Sequence, residues 1–228
     1  MTTTTPYDVQ PEDRVRRGNP VIVDRHSPFV RINHWTAAIS MILLWLSGFA
    51  LFYPRLFFLS DLFGGGQNTR ALHPWLGVIV FVAFYGLFFR FWRACMFAEG
   101  DGRWMLGLPT LMLGGDEEKL PEVGRFNPGQ KMFFWAMAGM LIVLLVTGLA
   151  MWDEYFFSYT TIEQKRLMVL VHSTFAVLAV CGVIVHVSMV LWERGTLQAM
   201  TRGYVTGGWA WKHHRKWFRE LVTWKKVS

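Results

Sequence analysis

The chain has 228 residues, 53% of them hydrophobic and 16% aromatic, with only 17% charged and a formal net charge of +7. A soluble domain would carry about 25% charged residues, so the composition excludes an ordinary water-soluble fold and points to the membrane class. The basic residues flank long apolar runs instead of forming a continuous track, which excludes nucleic acid as a partner. The two cysteines, Cys95 and Cys181, form no CxxC pair and so provide neither a disulfide framework nor a thiolate metal site.

Residues 1–30 read as a polar extension containing Arg14, Arg16, Arg17 and Arg25. A cleaved secretory signal needs a short apolar stretch directly behind a basic one. Here the first apolar run begins only near Trp35 and is too long and too aromatic for that role. Crossing a hydrocarbon core takes about 20 helical residues. Four segments qualify: Asn33–Tyr53, Leu72–Trp92, Met132–Trp152 and Leu167–Trp192. The predicted fold class is therefore an all-α integral membrane protein, a four-transmembrane-helix bundle occupying residues 31–193. Trp and Tyr cluster towards the ends of these runs, the headgroup level that amphipathic rings prefer.

The connections set the expected orientation. The N-terminal segment to Arg31 holds five Lys or Arg, the stretch Arg90–Lys131 holds six, and the basic tail 194–228 holds eight. The other two connections hold only Arg55, Arg70, Lys165 and Arg166. Nineteen against four places both termini in the cytoplasm by the positive-inside rule. Phe63–Asn68 reads as a turn-rich outer connection. Residues 98–126, with the acidic patch Asp116, Glu117 and Glu118, read as a surface loop with a short helix. The tail Trp209–Trp224 mixes bases with aromatics and suits either a helix at the inner interface or a solvated helix docked on a partner. His213 and His214 within it read as solvated or interfacial.

Four of the seven histidines, His34, His73, His172 and His186, lie in or at the edges of spans, where an ionisable residue is costly enough to imply a function. His172 and His186 are fourteen residues apart, about 21 Å and close to four turns along one helix, so both project from one face. Orientation puts His172 towards the outer side and His186 towards the inner side. It likewise puts His34 near the inner surface and His73 near the outer surface. The matched depths give two pairs, His34 with His186 and His73 with His172. Two imidazoles facing across a bundle are what a six-coordinate haem iron needs, so two b-type haems are expected. Gly48, Gly77, Gly86, Gly139, Gly148 and Gly182 would spare room for a flat ring. With no CxxCH, such haems would be held non-covalently.

The segments Arg31-Ile32-Asn33-His34-Trp35, Leu72-His73-Pro74, Gly124–Lys131, Val171-His172, Val185-His186 and the tail Trp211–Trp217 resemble the cytochrome b (gamma) subunit of membrane-bound respiratory formate dehydrogenase. The likeness covers roughly residues 24–222. It implies two haem b groups with the pairing above, and an iron–sulfur (beta) subunit with a molybdenum or tungsten catalytic (alpha) subunit docked on the outer side. It implies electron flow from the outer to the inner haem, to menaquinone or ubiquinone at the cytoplasmic face of a bacterial inner membrane. The chain would be the electron-transfer and quinone-reducing subunit without itself oxidising formate; the complex could also form a higher oligomer.

The resemblance carries Asn127, Gly129 and Gln130 onto the quinone site near His186. The residues themselves also read as a helix N-cap, a proline at the first helical position and a reciprocal capping glutamine. The competing family reading is the cytochrome b of a nickel–iron hydrogenase or a thiosulfate-type reductase. A haem-free transporter would need acids within the spans, whereas Asp153, Glu154 and Glu193 lie at their ends. A zinc hydrolase would need HExxH or a His/Asp cluster at one depth, and a plain anchor would not match its histidines in depth.

Overall fold

The computed structural model describes residues 8–115, 119–156 and 159–227. The expected acidic patch Asp116–Glu118 lies outside the described residues. Four helices are long and apolar enough to cross a membrane: α1 (Pro28–Phe52), α2 (Gly66–Phe91), α4 (Pro128–Ala150) and α6 (Ile162–Trp192). Each starts before the apolar run read from sequence, because polar capping turns precede the hydrocarbon-length stretch. Pro28 opens α1 behind Ser27. At α6 the Thr161 and Gln164 side chains each accept from the other's backbone N–H, at 3.3 and 2.8 Å. The chain divides into two units that cut each long helix once: Met1–Arg31, Phe89–Trp135 and His186–Ser228 in a terminal unit, Ile32–Phe88 and Ala136–Val185 in a helical unit.

In the helical unit, large apolar side chains such as Ile39, Ile42, Val82, Val146, Val177 and Val185 remain exposed along the long helices. Helices apolar all round, with so little of that surface covered by protein, are suited to lipid. Polar side chains tie the helices at chosen points. Asn33 Nδ2 donates to Ala83 O at 2.9 Å, and a Cβ on Gly86 would fall 2.9 Å from that amide. Tyr85 donates to Ala138 O at 2.8 Å. Trp75, Trp152 and Tyr155 of the short α5 (Asp153–Phe156) form an edge-to-face cluster with ring centres 5.0 to 6.2 Å apart, a grouping that suits the headgroup level. A 3-10 segment, Pro54–Phe63, follows α1. Gly64 and Gly65 then turn the chain with φ of 82° and 99° before α2 begins.

The terminal unit corrects the expectation of an all-α chain. β1 (Arg14–Arg16), β2 (Ile22–Asp24) and β3 (Tyr204–Thr206) form an antiparallel sheet in that order, with Val15 opposite Val23 and Val23 opposite Val205. Short helices α7 (Thr196–Thr201), α8 (Gly207–His213) and α9 (Arg215–Val227) come from the tail. Val9, Val23, Ala199, Val205, Ala210, Trp217 and Leu221 make one buried cluster. The polar extension thus has its own apolar residues, too few to fold alone, and finds the rest of its core in the tail. α9 is strongly amphipathic: Trp217 and Leu221, one turn apart, are fully buried while Lys216 and Arg219 lie outside that core. α3 (Asp101–Met112) is the short helix expected in the connection between the second and third spans.

His213 and His214 are corrected as well. Both are buried, at 9% and 1% exposure. His213 Nε2 lies 2.9 Å from Glu193, and His214 Nδ1 lies 2.7 Å from Gly124 O. Burial, reinforced by the nearby Arg25 charge, holds His214 well below the usual histidine range. The tail packs on the chain's own N-terminal segment, a contact that periodicity in the tail alone does not reveal.

Candidate functional site

His73 on α2 and His172 on α6 face each other in the helical unit, ring centroids 6.3 Å apart and planes at 65°. Two imidazoles on opposite sides of one metal ion, with bonds of about 2 Å, have ring centres about 6 Å apart. The observed separation meets that requirement. Each ring is held from behind by a hydroxyl: Ser47 of α1 lies 2.8 Å from His73 Nδ1, and Thr147 of α4 lies 2.8 Å from His172 Nδ1. Next to each hydroxyl stands a glycine. A Cβ on Gly48 would lie 3.3 Å from His73 Cε1, and one on Gly148 would lie 3.4 Å from His172 Cε1. These two glycines make room for the imidazoles, a different use from the porphyrin clearance expected of them.

With Nδ1 held on a hydroxyl, Nε2 is the nitrogen left to each ring for a metal. Among the described residues no three His, Cys, Asp or Glu side chains gather as a metal site. A haem brings nitrogen donors of its own and needs only two from the protein, so the pair would suit a haem where it would not suit a bare ion. Cys95 is buried, which pushes its thiol up to about 12 and keeps it protonated.

The other two expected ligands lie in different units. His34, in the helical unit, meets Trp35 edge-on at 5.6 Å. His186, in the terminal unit, stacks on Phe133 with ring centres 4.5 Å apart and planes at 13°. The stack orients the imidazole through an aromatic face.

The quinone-site candidates also lie in the terminal unit, at the start of α4. Gln130 N donates to Asn127 Oδ1 at 2.9 Å, and Asn127 N donates to Gln130 Oε1 at 3.0 Å, the reciprocal cap read from the sequence. A Cβ on Gly129 would sit 3.4 Å from Asn127 Oδ1. The cap uses both amide oxygens and leaves the amide nitrogens as donors. Lys131, one residue on, forms a buried ion pair with Asp101 of α3 at 2.9 Å.

Sequence reasoning missed the groups that hold this segment in place. Arg125 is fully buried, pairs with the fully buried Asp13, and exchanges guanidinium-to-carbonyl hydrogen bonds with Arg25. Trp217 Nε1 donates to Asp13 at 3.1 Å, and its ring lies 4.6 Å from the Arg25 guanidinium and 5.6 Å from that of Arg125. Burial draws Arg25 down to about 9, which leaves it charged at neutral pH. Ser47 and Thr147 did carry a signal: each is a hydroxyl followed by glycine, in a span preceding one that carries a histidine.

A family model described as prokaryotic cytochrome b561 matches residues 25–203. The chain is 38% identical over 191 residues to the nitrate-inducible cytochrome b556(Fdn) subunit of formate dehydrogenase from Escherichia coli, covering 84% of this chain and 88% of the relative. It is 35% identical over 209 residues to the formate dehydrogenase cytochrome b556 subunit of Haemophilus influenzae, covering 92% and 87%. It is 36% identical over 197 residues to the cytochrome b556(fdo) subunit of Escherichia coli, covering 86% and 92%.

Proposed function

The chain belongs to the prokaryotic cytochrome b561 family, and from that premise we propose that it is the multi-pass inner-membrane subunit of a bacterial formate dehydrogenase. In this role it takes electrons from an iron–sulfur subunit, itself fed by a molybdenum or tungsten catalytic subunit, and delivers them to a quinone. The observation that carries the proposal is the facing pair His73 and His172 at 6.3 Å, each with its Nδ1 on a hydroxyl. The names and coverage of the relatives support the complex to which the chain is assigned.

His73 and His172 would hold one haem, and the sequence pattern alone pairs His34 with His186 for a second. When bound, such haems supply reversible one-electron transfer through their iron. The imidazoles fix the depth of each site, and the apolar helices around them keep charge and water away. Asn127 and Gln130 present amide N–H groups to a quinone carbonyl, with Gly129 letting the loop close on Asn127. With both termini cytoplasmic, electrons move inward and quinone protons come from the cytoplasm, so turnover builds membrane potential.

The test is haem content and the reduced-minus-oxidised visible spectrum of the complex with single histidine variants. Two haems b per chain are expected, with His73→Ala and His172→Ala losing the same one and His34→Ala and His186→Ala losing the other. Absence of haem, or four variants that fail to sort into two pairs, overturns the reading.

A further inference from the structure

The hydroxyls behind His73 and His172 also touch their own helices. Ser47 Oγ lies 2.9 Å from Leu44 O, and Thr147 Oγ1 lies 2.7 Å from Val143 O. A hydroxyl has one hydrogen, and a helix carbonyl can only accept. The hydrogen therefore goes to the carbonyl, and the hydroxyl meets the imidazole with a lone pair. The imidazole must then donate from Nδ1, which leaves Nε2 with its own lone pair, the state a metal ligand needs. Ser47 is 0% exposed and Thr147 4%, so water does not compete for these positions. The arrangement occurs twice, once between α1 and α2 and once between α4 and α6, with a glycine beside each hydroxyl to let the ring approach.

We propose that Ser47 and Thr147 are positioning residues that fix the tautomer and ring orientation of His73 and His172 and tune the haem they hold. The proposal rests on the reading that these two histidines bind a haem. An N–H donated to an acceptor makes the imidazole a more basic ligand, which favours the oxidised metal and lowers its midpoint potential. Both contacts would act on the same haem through its two ligands, so their effects would add in sign.

The test uses the full complex carrying Ser47→Ala, Thr147→Val or Thr147→Ser, with haem content, redox titration of the visible spectrum and the EPR spectrum of the oxidised haems as readouts. Thr147→Val keeps the side-chain shape and removes the hydroxyl; Thr147→Ser keeps the hydroxyl. Ser47→Ala and Thr147→Val should each raise the midpoint of one and the same haem and shift its EPR signal, leaving the other haem as it was. Thr147→Ser should behave as the parent. Haem loss in Thr147→Val with retention in Thr147→Ser also supports the role. An unchanged midpoint and EPR signal at full haem content overturns it, as does a Thr147→Ser variant that follows Thr147→Val, since shape alone would then be responsible. His73→Ala and His172→Ala separate the two levels: if they lose one haem while the hydroxyl variants change nothing, only this inference fails; if they keep both haems, the ligand assignment itself fails.

Discussion

The Asn127 amide caps α4 with one end and leaves the other for the proposed quinone contact. Its Oδ1 accepts from Gln130 N and caps α4, while its Nδ2 is the group a quinone carbonyl would need. Aspartate caps a helix as well as asparagine but has no N–H to give. Asn127→Asp should therefore leave α4 and the haem spectrum intact and lower kcat/KM for quinone by about five-fold, the effect of one neutral hydrogen bond worth about 1 kcal/mol. Steady-state quinone reduction checks this, with Asn127→Ala as the variant that loses both functions. Unchanged kcat/KM in Asn127→Asp would leave Asn127 a cap and nothing more.

The N-terminal strands and the tail helices form an element that neither half could build alone. It reaches the start of α4 through two residues just ahead of Asn127: Gly124, whose carbonyl takes a hydrogen bond from His214, and Arg125, whose guanidinium is clamped by Asp13 and the Arg25 carbonyl. Removing one partner of a buried ion pair leaves the other charge uncompensated, at a cost of about 3–5 kcal/mol. Asp13→Ala should consequently loosen this element, and hydrogen exchange should rise together in residues 14–24, 124–127 and 204–221. The haem proposed at His73 and His172, whose side chains and hydroxyls lie in the other unit, should keep its spectrum. Exchange confined to the mutated strand would show that the strand, the Arg125 segment and the tail are not one cooperative element.

At the scale of the whole molecule the question is direction. Nineteen of 23 Lys and Arg lie in the N-terminal segment, the connection between the second and third spans, and the tail. Translocating such segments is unfavourable, and on that ground we propose that they face the cytoplasm. A fluorescent protein fused after Ser228 should fold and fluoresce, and alkaline phosphatase fused there should be inactive, with the reverse for fusions in the Gly64–Gly65 connection. The opposite pattern would invert every depth assigned to the histidines and with it the direction of electron flow.

Four spans and the Asn127–Gln130 cap were legible in the sequence because each depends on neighbours within a few turns. Hydropathy, helical pitch and capping are local, and the facing of His73 and His172 follows once local elements are stacked by charge bias. Two further groups of residues could not be read in this way. Arg125 and Asp13 are 112 residues apart, and each looks like an ordinary surface charge until the other is brought to it. His214 looked solvated for the same reason. Whether a polar side chain is exposed, buried or holding a ligand depends on what stands opposite it, and only the tertiary structure decides that.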